Sequence, residues 1–462
     1  MINTSLAQIA KRTNASIINA KDILVNKVAI DSRLVSPGDL FIAIKGEKFN
    51  GHDYVKESQG NGASACVVSK KMDIEMSQIL VKDTLVALGE IAALNREKSK
   101  AKVVAITGST GKTTLKDMLS SILCQQFATV ASTENNNNEI GVALTLLRAC
   151  KKTQIIIVEM AMRGPGQISE LAEMASPDIA VITNIGHSHI GVLGSIDDVY
   201  KAKAELLDCV NKKGATFINS DDKYYKALSE KSKAKVYGYG SSEKPYITAK
   251  DIIFDDFGIP SFLCSIEDKT IPITLSIPGE HNISNALGAI GVADYLGVIP
   301  ENISKGLKNA TYSKKRMEVI EIADVVLIND CYNANPDSMA ASLKALSVYK
   351  AKRRIAVVAD MLELGDFSDY LHFEVGKEIA KKPIEILITI GDNAMRIADG
   401  AGRNGFASKN IFSFNKPKQA FDTLKSILEP GDVILIKGSR AMELEQITDY
   451  LENIINKGKI CR

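Results

Sequence analysis

The stretch AITGSTGKTTLKDML, residues 105–119, constrains the fold of this 462-residue chain more than any other segment. Apolar residues run into a turn with two glycines, and Lys-Thr-Thr then opens a pattern typical of a helix. A strand, a phosphate-cradling loop and a helix in this order belong to α/β proteins with a mostly parallel sheet. The full pattern G-x-x-x-x-G-K-[ST] would need glycine where Ile106 stands, so this is the shortened form T-G-x-x-G-K-T. The loop alone leaves three functions open: a kinase, a nucleotide-driven switch, or a ligase that uses ATP to make a bond.

The residues of the loop have distinct expected roles. Gly108 and Gly111 let the backbone approach phosphate oxygens closely, and the N–H groups at the helix start face the anion. Lys112 can reach the β- and γ-phosphates, and the hydroxyl of Thr113 can ligate Mg²⁺. We therefore predict a nucleotide phosphate site made by Gly108, Ser109, Thr110, Gly111, Lys112, Thr113 and Thr114.

Strand-like and helical patterns divide the chain into three segments, as expected for a length that exceeds one ordinary core. Residues 1–97 mix short strands with Gly-rich turns, and a helix from about Thr84 to Lys98 connects them to the next segment. Residues 98–310 alternate strands with helices and include a predicted antiparallel hairpin set at 244–277. Residues 311–462 alternate again without a phosphate loop. The predicted fold class is α/β with three domains: a small N-terminal α/β domain, a central phosphate-loop domain with a mostly parallel sheet, and a C-terminal Rossmann-like α/β domain.

Composition argues against several other classes of protein. The net charge is +2 and the lysine pairs are scattered, so no nucleic-acid partner is expected. No segment approaches the ~18 uninterrupted apolar residues of a transmembrane helix, and the N-terminus lacks the pattern of a signal peptide. The seven cysteines are dispersed without CxxC spacing, which predicts reduced thiols in a cytoplasmic protein.

Polar residues follow further strand-like runs of the central segment. Glu159 follows IIIV, and a carboxylate at the end of a parallel strand lies where such sheets bind ligands such as Mg²⁺. Taken alone, such a glutamate is more often a cap or a salt-bridge partner, but beside a phosphate loop the Mg²⁺ role is favoured. His187 and His189 share a face if extended, but no Cys or third His accompanies them at zinc-ligand spacing, which favours a single metal- or phosphate-contacting histidine. Lys201 and Lys203 lie in a helical run, where composition alone predicts a solvated face.

A set of motifs runs in a fixed order through nearly the whole chain. Together they resemble the Mur ligases, ATP-dependent amide-forming enzymes of peptidoglycan synthesis. The segment DSRLVSPGDLFIAIKGEKFNGHDYV is similar to the N-terminal substrate domain of that family. The other motifs are TGSTGKTT (107–114), NNEIGVALTLL (137–147), VEMAMRGPGQI (158–168), ITNIGHSHIGVLGS (182–195), AKAEL (202–206), NSDD (219–222), GEHNISNAL (279–287), INDCYNANPDSM (328–339), ADMLELG (359–365) and IKGSRAMELE (436–445).

Two of these motifs, YNANPDSM and DMLELG, resemble those of the member that joins D-alanyl-D-alanine to UDP-N-acetylmuramoyl-tripeptide. The Asp-Asn-Pro-Arg-type motif of the diaminopimelate- or lysine-adding ligase is not found in the last segment. The resemblance implies a bacterial cytoplasmic monomer that uses ATP and two Mg²⁺ ions, without membrane insertion. It implies that residues 1–97 bind the UDP-sugar-peptide, residues 98–310 bind ATP, and residues 311–462 bind the incoming dipeptide.

The resemblance also assigns roles to single residues. Lys112, Lys203 and His189 are the implied catalytic residues, and Thr113, Glu159, His189 and Lys203 the implied Mg²⁺ ligands. Lys203 falls on a lysine that is carbamylated in the family, which replaces the solvated-face interpretation for Lys203 but not for Lys201. His187 falls at a variable position and has no implied metal role. The remaining implied contacts are Asn282 and Asn285 with adenine, Arg316 and Asp330 with ATP, Asp31, Ser32 and Arg33 with the uridine diphosphate, Asn333, Asn335 and Ser338 with the dipeptide, and Asn137 and Asn138 with substrate.

Three alternatives stay open from the sequence. Another Mur ligase or a folylpolyglutamate synthetase would share the central domain, although the N-terminal DSR…GDLF segment argues against the folate enzyme. A regulatory ATPase or small-molecule kinase would have no use for Lys203. A nucleotide-binding scaffold without activity would not need the intact set of Lys112, Glu159, His189 and Lys203.

Overall fold

Three large β-sheets and one two-stranded ribbon make up the strand content in a computed structural model that describes residues 1–133, 136–242 and 245–456. The three large sheets have five, nine and six strands. Each takes its strands from one of the three predicted segments, which confirms the three-part α/β architecture. The boundaries near residues 97 and 310 stay predictions.

The N-terminal sheet has the strand order β2-β7-β6-β5-β4, with β4 to β7 parallel and β2 antiparallel at one edge. The last helix, Thr84–Lys98, begins at Asp83, whose side chain accepts from the N–H groups of Leu85 and Val86. The elements are β1 Thr4–Ser5, α1 Leu6–Arg12, β2 Ser16–Ile18, β3 Leu24–Val25, β4 Val28–Ala29, β5 Leu40–Ile42, α2 Val55–Gly60, β6 Ala65–Val68, β7 Ser77–Leu80 and α3 Thr84–Lys98.

The central sheet is mostly parallel because its strands are short β-branched runs that are buried on both faces. Its order is β16-β15-β14-β13-β12-β11-β8-β10-β9. The elements are β8 Lys102–Thr107, α4 Lys112–Leu123, β9 Thr129–Ala131, α5 Glu139–Leu147, β10 Ile155–Glu159, α6 Gln167–Ala175, β11 Ile179–Ile182, α7 Ile190–Leu193, α8 Ile196–Cys209, β12 Ala215–Asn219, α9 Tyr225–Lys231, β13 Lys235–Tyr239, β14 Ile247–Phe254, β15 Pro260–Ile266, β16 Lys269–Thr274, α10 His281–Tyr295 and α11 Pro300–Lys308. Strands β14 to β16 form the predicted antiparallel set, although residue 244 lies outside the described residues.

The strand order of the central sheet places the phosphate loop. Strand β8 lies between β10 and β11, and the chain builds outward from it on both sides. Such a reversal opens a crevice at the carboxyl ends of the strands, where ligands bind in open α/β sheets. Helix α4 covers one face with Leu115, Met118, Leu119 and Ile122, which recur at helical spacing.

The C-terminal sheet has the order β17-β18-β22-β19-β20-β21, in which only the edge strand β17 is antiparallel. Alternate residues of β19 face two different cores: Ala356 and Val358 one, Ile355 and Val357 the other. The elements are β17 Glu318–Ile322, β18 Val325–Asn329, α12 Pro336–Val348, β19 Arg353–Ala359, α13 Ser368–Ala380, β20 Ile386–Ile390, α14 Met395–Arg403, β21 Ile411–Phe414, α15 Phe421–Ile427, β22 Asp432–Lys437 and α16 Glu445–Asn456.

The structure bears on two expectations from the composition, reduced cysteines and the lack of a transmembrane helix. The six cysteines within the described residues are all free thiols, and Cys461 lies outside those residues. Across the three described ranges, no helix is both long and apolar enough to cross a membrane.

Candidate functional site

The loop between β8 and α4 can only be built with glycine at two positions. Gly108 has φ +149°, and a Cβ atom there would lie 1.8 Å from Oγ1 of Thr183 at the end of the neighbouring strand β11. Gly111 has φ +78°, and its Cβ would lie 2.3 Å from Oδ1 of Asn285 on α10. Both glycines therefore combine a left-handed backbone with a close approach, and the loop is fixed between β11 and α10.

The segment after β11 fixes the first half of this loop. The N–H groups of Ser109 and Thr110 donate to the carbonyl and side-chain oxygens of Asn184, each at 2.9 Å. The N–H groups of the first turn of α4, from Lys112 to Thr114, have no acceptor within the helix, as at any helix start. The second half of the predicted phosphate site is therefore the part that can donate to an anion, with the helix dipole adding positive potential.

Two lysines point into this loop. Nζ of Lys112 donates to the carbonyl oxygen of Gly108 at 2.7 Å, and Nζ of Lys203 donates to the same oxygen at 2.9 Å. Burial lowers the pKa of Lys112 to about 8, and Glu159 partly opposes this. Burial and then the charge of Lys112 hold the pKa of Lys203 well below its ordinary value.

Lys203 is on the inner face of α8 and only 1% exposed, so the solvated-face interpretation from composition is wrong for it. Val199 and Leu206 are buried on the same face at helical spacing, which explains why Lys203 turns inward. Lys201 points outward and pairs with Asp198 at 2.8 Å, as its solvated-face interpretation predicts.

Glu159 lies at the end of β10 and is 1% exposed. Its Oε2 accepts from the hydroxyl of Thr113 at 2.8 Å, and its Oε1 accepts from Nδ2 of Asn137 at 2.9 Å. Asn138 instead caps α5 by accepting from the N–H of Gly141. In this structure Asn137, a predicted substrate contact, therefore positions the Glu159 carboxylate. Asn138, the other predicted substrate contact, caps helix α5.

Hard oxygen ligands are consistent with a magnesium ion at Glu159 and Thr113. Among the described residues, no group of three or more His, Cys, Asp and Glu side chains could hold a metal ion by itself. Magnesium commonly takes one or two carboxylates together with phosphate oxygens of a substrate. The donors present therefore fit an ion that arrives with a nucleotide.

His187 and His189 both face the C-terminal domain. Nδ1 of His189 lies 2.6 Å from Oε2 of Glu363, at ion-pair distance, which leaves Nε2 as the ring nitrogen for another ligand. His189 adopts φ +60°, a left-handed conformation that is uncommon outside glycine and frequent at functional sites. Nδ1 of the His187 ring lies 3.0 Å from Oδ1 of Asp337, so His187, like His189, pairs with a carboxylate of the C-terminal domain.

Arg316 comes from the C-terminal domain, and its guanidinium stacks on the ring of Tyr332 at 3.8 Å. Its Nε is buried without a hydrogen-bond partner within the described part of the chain. Its neighbours Lys315 and Met317 have φ of +63° and +50°. A strained segment that carries a guanidinium with one unpaired, buried nitrogen is suited to receive an anion.

Asp330, the other predicted ATP contact of this domain, makes interior hydrogen bonds. Its carboxylate accepts from Nζ of Lys437 and the hydroxyl of Ser342, both at 2.6 Å, and from the N–H of Met317 at 3.1 Å. Asp330 therefore anchors the strained segment that presents Arg316.

Asn282 and Asn285 extend the loop contacts along α10. Nδ2 of Asn285 donates to Oδ1 of Asn282 at 3.0 Å, and Nδ2 of Asn282 donates to the carbonyl of Pro278 at 2.7 Å. Both side chains are buried. Their position beside Gly111 agrees with the predicted nucleotide role without testing it.

The residues predicted to contact the dipeptide make hydrogen bonds to backbone groups close to them in the sequence. Asn335 and Ser338 form a capping box at the start of α12, each side chain bonding the backbone N–H of the other. Oδ1 of Asn333 accepts from the N–H of Ala334 at 2.9 Å. Their roles toward a substrate remain predictions.

The predicted uridine diphosphate contacts lie in a short turn of the N-terminal domain. Asp31 accepts from the backbone N–H and the guanidinium of Arg33, and this hydrogen bonding lowers the pKa of Asp31 to about 2. The Arg33 side chain is 79% exposed, whereas Ser32 is buried and its carbonyl accepts from Asn61. Arg33 is thus available on the surface of the turn.

Comparison with known proteins agrees with this geometry. Family models match residues 24–121 (Mur ligase family, catalytic domain), 106–293 (Mur ligase middle domain) and 315–440 (Mur ligase, glutamate ligase domain). A Bacillus subtilis (strain 168) relative named UDP-N-acetylmuramoyl-tripeptide–D-alanyl-D-alanine ligase is 33% identical over 98% of this chain and 99% of its own length. The chain belongs to the Mur ligase family.

Solved Mur ligase structures have the same architecture. A crystal structure of MurF from Acinetobacter baumannii has a TM-score of 0.90 and 30% identity, and it covers 98% of this chain and 99% of its own. MurF from Thermotoga maritima in complex with ADP has a TM-score of 0.84 and 27% identity, over 95% of this chain and all of its own. The three-domain Mur ligase fold is therefore common to this chain and these enzymes.

Several residues of this Mur ligase site were not found from the sequence. Asn184 follows a buried strand and was expected at the same sheet edge as Glu159, but the sequence assigned it no role. Glu363 and Asp337 belong to quoted motifs, but their contacts with the central domain depend on how two domains meet. Tyr332 lies within the motif YNANPDSM, but nothing in the sequence indicates that its ring stacks on Arg316.

Proposed function

We propose that this chain joins D-alanyl-D-alanine to UDP-N-acetylmuramoyl-tripeptide, forming UDP-N-acetylmuramoyl-pentapeptide for peptidoglycan synthesis and converting ATP to ADP and phosphate. The observation that carries the proposal is the match along 98% of the chain to a relative named for this reaction. The match includes the N-terminal domain, which a phosphate loop alone would not need.

The reaction needs ATP because a carboxylate does not react with an amine at neutral pH, since oxide is too poor a leaving group. The terminal carboxylate of the tripeptide attacks the γ-phosphorus, and the bond from that phosphorus to the β-phosphate oxygen breaks. The resulting acyl phosphate reacts at its carbonyl carbon with the free amine of the dipeptide, and inorganic phosphate leaves. Catalysis of both steps depends on positioning and on neutralising charge.

The residues of the phosphate loop supply much of that charge. Lys112 exchanges its bond with the Gly108 carbonyl for the β- and γ-phosphate oxygens, because a charged acceptor gives the stronger hydrogen bond. The N–H groups at the start of α4 donate to the same phosphates. Arg316 contributes a guanidinium whose buried Nε has no hydrogen-bond partner among the described residues.

Thr113, Glu159, His189 and Lys203 would hold the magnesium ions. When bound, magnesium neutralises phosphate charge and polarises the oxygens that it bridges. Lys203 serves this role as a carbamate, because its buried neutral amine can add to CO₂ and lose a proton to become an anionic oxygen ligand. A lysine ammonium at this position would repel the ions.

The outer domains bring the two other substrates. The turn at Asp31 and Arg33 contacts the uridine diphosphate, and the start of α12 faces the dipeptide. The C-terminal domain supplies Arg316 and Glu363, so its closure completes the site and excludes water from the acyl phosphate.

The test is phosphate release from ATP with UDP-N-acetylmuramoyl-tripeptide, measured with and without D-alanyl-D-alanine. The tripeptides with lysine and with diaminopimelate are tried separately. We expect release that requires both substrates, and a pentapeptide product by mass. Release that is indifferent to the dipeptide would favour another acceptor or a regulatory ATPase. Lys112→Met is expected to abolish turnover, and Lys201→Met, a surface lysine, is the matched control.

A further inference from the structure

The segment from Asn184 to His187 lies between the phosphate loop and the C-terminal domain. On the loop side, the N–H of Gly186 donates to the hydroxyl oxygen of Ser109 at 2.8 Å, and that hydroxyl donates back to the Gly186 carbonyl at 3.3 Å. The Ser109 side chain is buried. The position of the Gly186 peptide therefore determines where the Ser109 side chain can sit.

On its other side, the same peptide is held by one carboxylate of the C-terminal domain. Oδ2 of Asp337 accepts from the N–H of His187 at 2.7 Å, and Oδ1 lies 3.0 Å from Nδ1 of the His187 ring. Asp337 lies in the first turn of α12, where the helix dipole stabilises a negative charge. Two bonds from a helix start make this a directed contact between domains.

A side chain at position 186 would collide with the carboxylate of Asp337 where it now lies. A Cβ atom at Gly186 would meet Oδ2 of Asp337 at 2.3 Å and its Cγ at 2.9 Å, and its three nearest atoms all belong to Asp337. The φ of Gly186 is not left-handed, so its backbone does not itself demand glycine. The requirement for glycine thus comes from the other domain.

A second contact between the two domains lies just after this segment, at Gly191. The N–H of Gly191 donates to the carbonyl of Glu363 at 2.9 Å, and a Cβ on Gly365 would approach Gly191 to 2.9 Å. The C-terminal domain thus meets the central one along residues 186–191 by close backbone packing.

We infer that Asp337 is a positioning residue that couples the placement of the C-terminal domain to the phosphate loop. The coupling passes through the Gly186–His187 peptide to the hydroxyl of Ser109. It rests on the proposed function only in that the loop binds a nucleotide. When the domain closes, the carboxylate fixes the peptide, and the peptide fixes the loop before phosphate arrives.

The experiment compares Asp337→Ala, Gly186→Ala and the double variant in the full chain. The radius of gyration is measured by small-angle X-ray scattering without ligand, and ADP affinity by calorimetry. Each single variant is expected to raise the radius of gyration and to weaken ADP binding about tenfold, the size expected for one charged hydrogen bond. The double variant should match Asp337→Ala, because that substitution removes the three atoms nearest to the added methyl.

Glu301→Ala is the matched control, because Glu301 follows Pro300 in α11 as Asp337 follows Pro336 in α12, but at a helix start within the central domain. It should change neither quantity. Unchanged scattering in both single variants, additive effects in the double variant, or opening without weaker ADP binding would each overturn the coupling. Asp337 is partly exposed, so its variant should fold even if Gly186→Ala does not. Ligase turnover is not measured, so failure of the proposed function would leave this result interpretable.

Discussion

Lys112 and Lys203 donate to a single acceptor, the carbonyl oxygen of Gly108, at 2.7 and 2.9 Å. Two ammonium groups that share one neutral oxygen in a buried site repel each other. Burial lowers the pKa of both lysines, and the charge of Lys112 lowers that of Lys203 further. On the proposed mechanism we expect Lys112 to act as the cation for phosphate and Lys203 as the amine that reacts with CO₂.

The carbamate hypothesis predicts a signal from ¹³CO₂. We expect the chain, equilibrated with labelled bicarbonate, to give one protected carbamate resonance by ¹³C NMR, and Lys203→Ala to lose both this resonance and nearly all ligase turnover. Lys201→Ala is the control on the same helix, and it should keep both because Lys201 is exposed. A Lys203→Ala variant with full activity would refute the hypothesis.

Glu159 should control the magnesium dependence of nucleotide binding. Glu159→Gln keeps the size of the side chain and an acceptor for Thr113, but it removes the negative charge that a cation needs. We expect Mg²⁺ to strengthen ADP binding at least about tenfold in the parent chain, as for one charge-assisted contact, and not in the variant. Calorimetric titration with ADP, with Mg²⁺ and with EDTA, measures this directly. An equal Mg²⁺ effect in both proteins would place the ion elsewhere.

Local sequence patterns predicted the phosphate loop, its two glycines and the succession of three α/β segments along the chain. The loop could be predicted because strand, turn and helix follow one another within fifteen residues. The inward position of Lys203 could also be predicted, because Val199, Lys203 and Leu206 recur at helical spacing. The charge of the lysine instead favoured a solvent-exposed position. The capping box at Asn335 and Ser338 could also be predicted from the sequence. It is an alternative to the substrate role that the resemblance assigned to the same two residues.

Contacts between domains could not be predicted from the sequence. The pairs of His189 with Glu363 and His187 with Asp337 join residues about 150 or more positions apart. No periodicity within either segment encodes such a pair, because it depends on the relative placement of two separately folded sheets. The interior role of Asp330 was missed for a different reason, because its partner Lys437 lies on the neighbouring strand β22 of the same sheet but 107 positions later in the sequence.

Arg316 should contribute to nucleotide affinity more than to folding. Its Nε is buried without a hydrogen-bond partner in the described structure, so the chain gains no hydrogen bond from this atom until an anion binds, and a lysine ammonium can keep a cation–π contact with Tyr332. Arg316→Lys should weaken ADP binding about tenfold while leaving the thermal midpoint of unfolding unchanged or slightly higher. Arg403→Lys is the control, because Arg403 also faces an aromatic ring, that of Phe373, but on the surface of the C-terminal domain. A large loss of stability in Arg316→Lys would assign Arg316 a structural role instead.

His372 should make the C-terminal domain sensitive to acid. The ring is fully buried; Nε2 accepts from the N–H of Met361, and Nδ1 lies 2.8 Å from the carbonyl of Ser368, so the neutral form fits both bonds. Burial lowers the pKa of His372 below its ordinary value of 6.5. The unfolded chain therefore binds a proton more readily than the folded chain, and stability that is complete above pH 6.5 is lost as the pH falls toward the folded pKa.

His372→Gln isolates this contribution from those of the carboxylates. At pH 7.5 the variant should be less stable by about 1 kcal/mol, because glutamine replaces one of the two hydrogen bonds at best. Between pH 6.5 and 5 the difference should shrink, since only the parent chain has this histidine to protonate. Urea unfolding of both proteins across this range measures the gap. A constant gap would mean that the pKa of His372 is the same in the folded and unfolded chains, and a gap that widens toward acid would mean that the folded chain binds the proton more tightly; either result would contradict the prediction.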